Sequence, residues 1–232
     1  MTAGPAQAPM KENFPKIRII VTAGATIEPI DPVRCITNRS TGIMGHEIAR
    51  ECLRRGAEVF LVSGPSSPVP PPGAEVFGVE TAEDMGNAVE KLIPQADCLI
   101  MAAAVSDFRA KERAGRKIKK TDTLTLELVK TRDILKGLKS EKRVIKVGFA
   151  LETENAEENG EKKLEEKGLD LIVVNELGED KSPFGNTAAH DYTLIDSSKD
   201  REYHRGITKK ELAEIILEKV SRIHDGKNRK KQ

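Results

Sequence analysis

Five short apolar runs, at residues 17–22, 58–63, 97–103, 144–149 and 169–175, recur along the chain, each too short for a helix and too apolar to alternate. Runs of this length bounded by turn residues are strands buried on both faces. Helical patterns lie between most of them. Residues 42–56 put Met44, Ile48, Ala49, Cys52 and Leu53 on one face, with Ser40 or Thr41 placed to cap the start and Gly56 the end. Thr81-Ala82-Glu83-Asp84 reads as a capping box opening a helix over 81–92. Shorter and more charged helices follow at 132–139 and 155–167. Strands alternating with helices predict an α/β fold: a Rossmann-like, doubly wound, mainly parallel sheet covered on both faces. Weaker strands are expected at 75–79 and 125–128. The chain should end in a hairpin, 192–195 and 202–204 around SSKDR, and an amphipathic helix from 208 to about 224. Residues 1–15 read as a disordered leader, 16–225 as a single domain and 226–232 as a charged tail.

In such a sheet ligands sit at the carboxyl ends of the strands, so the residues just after the strands should be chemically distinctive. They are: Gly24-Ala25-Thr26, Ser63-Gly64, Ala103-Ala104-Val105-Ser106-Asp107, Phe149-Ala150 and Asn175 would converge on one crevice. The first of these loops, VTAGATIEPIDPVRCITNRSTGIMG over 21–45, joins a strand to a helix start, where unpaired N–H groups and the positive dipole end suit phosphate. It carries neither G-x-G-x-x-G nor G-x-x-x-x-G-K-[ST]. Two small-residue phosphate-loop candidates, 24–26 and 40–45, stand in their place, separated by Asp31, Arg34 and Asn38.

Composition narrows the partner. Lys and Arg total 38 against 37 Asp and Glu, a net charge of +1, which favours neither nucleic acid nor an anionic membrane. With 3% aromatic residues and no Trp, platforms for stacking bases are scarce, and a small-molecule partner is expected. The three cysteines, Cys35, Cys52 and Cys98, have no C-x-x-C spacing, so neither a disulfide framework nor a zinc site is indicated, and a cytoplasmic location is the default. Cys35 has no evident base beside it. His46, His190, His204 and His224 are scattered without ligand spacing. No apolar run approaches the roughly 20 residues of a membrane span.

The segments AGATIEPIDPVRCITNRSTGIMG, AAAVSDFRA, KIKK, VGFALETEN and LIVVNEL, in that order, closely resemble the phosphopantothenoylcysteine synthetase family, in the form fused to a flavin decarboxylase in many bacteria but here standing alone. The resemblance implies a ligase of coenzyme A biosynthesis. It would join 4′-phosphopantothenate and cysteine through an acyl-nucleotidyl anhydride, with CTP as co-substrate as in the bacterial fused and close stand-alone forms, where animal forms use ATP. Lys117 matches the family lysine linked to catalysis, with Lys120 in support; Asn38, Arg34 and the backbone at Ala103 match the groups that turn over the acyl-nucleotide. Met101, Ala102, Ala103, Asp107, Lys117, Arg132, Asp133, Ile134, Leu135, Phe149, Lys163 and Lys167 match nucleotide contacts, with Gly24, Ser40 and Gly42 as phosphate-loop candidates. Asn38, Arg34 and Ala104 resemble the phosphopantothenate set. The family further implies a homodimer with sites near the subunit boundary and Mg²⁺ carried in with the nucleotide; the metal ligands are not assigned, and no flavin is expected.

Bland alternatives accompany these roles. Alone, Asn38 reads as a loop residue beside a cap and Arg34 as a surface ion-pair partner; their register with the other motifs favours function. The basic stretch 107–120 is either a solvated loop or a lid over a triphosphate. Lys163 and Lys167 share a helix face and could meet one anion or pair with neighbouring glutamates. An NAD(P)-dependent short-chain oxidoreductase would need Tyr-x-x-x-Lys, yet Tyr192 and Tyr203 have Asp196 and Ile207 four residues on. A non-catalytic nucleotide-binding module is the remaining rival.

Overall fold

The computed structural model describes residue 14 and residues 16–65, 67–176 and 189–229, so most of the expected leader and the last three residues of the tail lie outside the described residues. The first apolar run forms β1 (Arg18–Ala23). The loop after it contains a ladder the sequence did not announce, β2 (Ile27–Pro29) paired antiparallel with β3 (Cys35–Thr37). Then come α1 (Ile43–Arg54), β4 (Glu58–Ser63), β5 (Glu75–Gly78) and α2 (Ala82–Leu92). β6 (Cys98–Met101) leads into a second short ladder, β7 (Phe108–Ala110) with β8 (Leu128–Lys130). Thus part of the expected basic loop is strand, and the strand expected at 125–128 forms later in the chain. α3 (Ile134–Gly137), β9 (Ile145–Glu152), α4 (Ala156–Lys167) and β10 (Leu171–Glu176) complete the alternation. The expected hairpin is β11 (His190–Asp196) with β12 (Arg201–Ile207), and α5 (Lys209–Arg229) closes the chain.

The main sheet runs β12-β11-β10-β9-β6-β1-β4-β5, with β11 antiparallel to both its neighbours, β10 and β12, and every other pair parallel. Its parallel members, numbered among themselves in chain order, read 3-2-1-4-5-6 from β5 to β10, so the order reverses between β1 and β6. That reversal is where a doubly wound sheet leaves a crevice. Strand side chains alternate between faces. Ile19, Val21 and Ala23 join α1 and α5 in one core, whereas Ile20 joins α2, α3 and α4 in the other. Each fully buried Ile or Leu contributes roughly 1.5–3 kcal/mol, which secures both faces.

Two termini differ from expectation. No side chain caps α1: its N-cap is Gly42, held at φ 74°, and Ser40 Oγ accepts from the Gly42 N–H at 3.4 Å rather than from the helix. A Cβ on Gly42 would sit 2.7 Å from Ser67 Oγ and 3.0 Å from Gly24 N, so the close approach demands glycine here. At the other end, α5 continues past residue 224 because Lys227 pairs with Asp170 at 2.8 Å and donates to the Lys142 carbonyl at 3.3 Å. The capping box on α2 forms as expected, with Thr81 Oγ1 accepting from Asp84 N at 3.1 Å and Asp84 accepting from Thr81 N at 3.0 Å. Among the described residues no helix is long and apolar enough to cross a membrane.

Candidate active site

The chain leaving β6 turns across the carboxyl end of β1, and threonines fasten it there. Thr22 Oγ1 accepts the Ala103 N–H at 3.1 Å and Thr26 Oγ1 the Ser106 N–H at 2.9 Å. Thr131 donates to the Ser106 carbonyl at 2.6 Å. Ala104 forms a parallel bridge with Ala25, through its N–H to Gly24 O at 2.9 Å and its carbonyl from Thr26 N at 3.3 Å. Asn38 Nδ2 then donates to the carbonyls of Ala104 at 3.1 Å and Val105 at 3.4 Å. β-branched hydroxyl residues at the strand ends thereby spend their side chains on holding one loop, which is preorganised before any ligand arrives.

Two adjoining cavities open on this loop. The larger, about 980 Å³, is walled by Asn38, Met101, Ala103, Ala104, Asp107, Arg132, Asp133, Ile134, Leu135, Phe149, Lys163 and Lys167 among others. The smaller, about 200 Å³, shares Ala103, Ala104 and Phe149 and adds Ala102, Ser40 and Gly42. Most residues singled out from the sequence therefore meet here. Gly24, Arg34, Lys117 and its supporting candidate Lys120 do not reach either wall. Gly24 is pressed under the chain: an added Cβ would lie 2.5 Å from Ser67 Oγ and 3.3 Å from Gly64 O, so its small size serves packing. Arg34 is turned toward Asp31 at 2.9 Å and the Ile118 carbonyl at 3.2 Å. Lys117 is exposed beside that contact.

Three cations of the larger cavity are already paired. Lys163 bonds Glu152, Lys167 meets Asp133 at 3.2 Å, and Arg132 meets Glu90 at 3.1 Å. Both readings of Lys163 and Lys167 thus coexist in the geometry, since the paired side chains also face the cavity. The smaller cavity includes Asn175, expected at the crevice from its place after the last parallel strand, and two residues that sequence reasoning passed over, Tyr192 and Lys209. Burial lowers the Lys209 ammonium below its ordinary pKa and raises the Tyr192 phenol to about 12. Their signal was faint, since Lys209 opens an ordinary amphipathic helix and Tyr192 sits in a hairpin strand. Cys35 is exposed, Cys52 and Cys98 are buried, and burial pushes both buried thiols far up. Among the described residues no group of three or more His, Cys, Asp or Glu could hold a metal ion.

A polar cleft at the strand-order reversal of a doubly wound sheet, floored by a fastened loop and an uncapped helix start, defines an α/β protein that takes its ligand at the strand ends. More particularly, the chain belongs to the family described as the DNA/pantothenate metabolism flavoprotein C-terminal domain, whose model matches residues 14–223. It is 41% identical over 222 residues to the coenzyme A biosynthesis bifunctional protein CoaBC of Escherichia coli (strain K12), covering 92% of this chain and 54% of that protein. The corresponding protein of Bacillus subtilis (strain 168) is 46% identical over 170 residues, 72% of this chain and 42% of that one. The chain spans about half the length of these relatives. Among solved structures, the C-terminal domain of CoaBC aligns with a TM-score of 0.77 and 37% identity, over 90% of this chain and 96% of that one. A Cab2 mutant in complex with phosphopantothenate-cysteine shares the fold, with a TM-score of 0.73, at 18% identity over 91% and 87% of the two chains.

Proposed function

We propose that the chain is a phosphopantothenate–cysteine ligase, and that the pair of cavities sharing Ala103, Ala104 and Phe149 is where it acts. A carboxylate is a poor electrophile. The carboxylate of 4′-phosphopantothenate therefore first attacks the α-phosphorus of a nucleoside triphosphate, forming the acyl-nucleotidyl anhydride and expelling pyrophosphate. The cysteine amine then attacks the acyl carbon, the nucleoside monophosphate leaves with the C–O bond electrons, and the amine gives up a proton. The larger cavity suits the nucleotide, with Lys163, Lys167 and Arg132 as its cations. The open N-terminus of α1 beside Ser40 and Gly42 suits phosphate oxygens. Asn38, bonded to two carbonyls of the fastened loop, is placed to orient the acyl group.

CTP is the preferred nucleotide in this reading, and Mg²⁺ arrives bound by phosphate oxygens and water, as the lack of a carboxylate or histidine cage among the described residues favours. The working form is a cytoplasmic homodimer. Its motivation is that Arg34 and Lys117 line neither cavity of their own chain while Val33, Leu124, Leu126 and Leu128 are exposed apolar side chains, so a second copy would complete the site. The test is pyrophosphate release with Mg²⁺, 4′-phosphopantothenate and each of CTP, ATP, GTP and UTP, with and without cysteine. Release with CTP that becomes catalytic on adding cysteine is expected. Preference for ATP would move only the nucleotide; no release with any nucleotide from folded protein would leave a binding module.

A further inference from the structure

We infer that Asp31 is a positioning residue: its buried carboxylate locks the Arg34 side chain and the Ile118 peptide into one unit, and so sets where Lys117 stands. Asp31 is 2% exposed, in the turn between β2 and β3. Its Oδ1 accepts the N–H groups of Val33 at 2.7 Å and Arg34 at 2.9 Å, which shapes the turn. Its Oδ2 faces outward from that turn, taking Arg34 Nη1 at 2.9 Å and the Ile118 N–H at 3.1 Å. The same Arg34 Nη1 donates to the Ile118 carbonyl at 3.2 Å. One peptide is thus gripped at both its N–H and its carbonyl by an ion pair from a turn more than eighty residues earlier.

The grip falls on the residue after Lys117, in a stretch whose side chains are otherwise mostly exposed. The Ile30 carbonyl adds a bond from Ala114 N at 2.9 Å, so the arm is registered on the turn at two points four residues apart. A long ammonium side chain on a solvated arm would sample many positions; fixing its backbone removes much of that freedom. Burial works against the Asp31 charge, yet the N–H groups of Val33, Ile118 and Arg34 and the Arg34 charge outweigh it and hold the carboxyl below its ordinary value. The joint is therefore ionised throughout the neutral range. A turn-forming Asp needs only Oδ1; the use of Oδ2 on a distant peptide is what goes beyond local structure.

This inference rests on the ligase reading, in which Lys117 meets the charge gathering at the α-phosphorus. The experiment takes the full chain as wild type, Asp31→Asn, Lys117→Gln and the double variant, and measures hydrogen exchange over residues 113–120, thermal midpoint, and kcat and KM for pyrophosphate release. Asp31→Asn should raise exchange of the Ile118 amide by on the order of 10-fold or more, as a bond to a charged acceptor is lost. It should lower kcat by on the order of 10²-fold, the cost of misplacing a charge-stabilising group by about 1 Å, with nucleotide KM nearly unchanged. In the Lys117→Gln background the same change should cost less than about twofold more, because residues acting as a unit are non-additive. Full additivity, or near-wild-type kcat despite raised exchange, overturns the inference. If Asp31→Asn does not fold, Ile118→Pro removes the peptide's donor and leaves the turn intact; an unchanged kcat there overturns it equally. A wild type releasing no pyrophosphate overturns the ligase reading and the catalytic half of this inference together, while the exchange arm still decides whether the joint exists.

Discussion

Gly64→Ala should damage this protein more than any conservative-looking change near the cleft. A Cβ on Gly64 would lie 2.2 Å from the Ala25 carbonyl oxygen and 3.1 Å from its carbon, against the 3.4 Å where ordinary contact begins. The shortfall of about 1.2 Å falls on backbone, not on a side chain that could rotate away. Moving Ala25 aside strains three bonds: Gly64 N to Ala23 O at 3.0 Å, Ala104 N to Gly24 O at 2.9 Å, and Thr26 N to Ala104 O at 3.3 Å. Overpacking costs about 1–3 kcal/mol and the three weakened bonds, none of them fully lost, together add roughly 1–2 kcal/mol, which puts the total near 2–5 kcal/mol. At about 2–4 °C per kcal/mol for a chain of this size, the thermal midpoint should fall by roughly 4–20 °C. Scanning calorimetry at neutral pH measures it, with Gly78→Ala as the control, since nothing lies within 4 Å of a Cβ added there. Nucleotide affinity, measured well below the new midpoint, should fall as well because Ala104 borders both cavities. A Gly64→Ala midpoint within about 2 °C of wild type would refute the packing of the strand ends from which these figures come.

Asn38→Asp replaces the donor to Ala104 and Val105 with a carboxylate facing their carbonyls; chemical quench should show the pyrophosphate burst retained and product formation slowed by on the order of 10²–10³-fold. Equal loss in both steps would count against its assignment to the second. Lys163→Met and Lys167→Met should each raise nucleotide KM by roughly 10-fold, with smaller changes in kcat. Unchanged KM in both would reduce these lysines to the partners of Glu152 and Asp133. Lys146 is 1% exposed, with its ammonium on the Leu138 and Lys139 carbonyls at 2.8 and 3.4 Å, at the end of α3. Burial lowers its pKa below the ordinary 10.5, so the unfolded chain holds this proton to higher pH than the folded one. Stability from this group accordingly rises as pH climbs from the lowered value toward 10.5, and urea unfolding should show wild type gaining on Lys146→Met over that interval. A difference that shrinks with rising pH would reverse the sign of the argued effect.

Much of the sheet was legible because its strands are apolar on both faces: residues 58–63 form β4 with those bounds, and the run at 97–103 contains β6. Their lateral order was not, since crossovers set which parallel strands become neighbours and leave no periodic trace. The ladders β2–β3 and β7–β8 escaped because three residues per strand show no period, and distant bonds such as Ile27 N to Glu80 O hold them. Met101–Ala104 at the end of β6 were readable from their position at the close of an apolar run, and so was Phe149, although β9 continues past it to Glu152. The fastening roles of Thr22, Thr26 and Thr131 were not, because a threonine in or beside a strand ordinarily signals β-branched packing and here donates or accepts on the loop that carries the site. Arg34 and Lys117 were recognised as a pair of motif positions, but their contact through Ile118 spans 84 residues from Arg34, a distance over which sequence carries no geometry.

The placement of α5 has a consequence for how the chain is made. Leu212, Ala213, Ile216, Leu217 and Val220 are fully buried in the same core as Ile48 and Cys52 of α1 and Ile19 and Val21 of β1. Every strand of the sheet can therefore have left the ribosome while one face still lacks its cover. Because β1 pairs with β4 some forty residues on and with β6 nearly eighty residues on, the nascent chain accumulates distant pairings early and completes its apolar seal last. During that interval the part of the apolar face that α5 covers is open to chaperones and to other nascent chains, and the emergence of α5, not the formation of any strand, is the event that closes it.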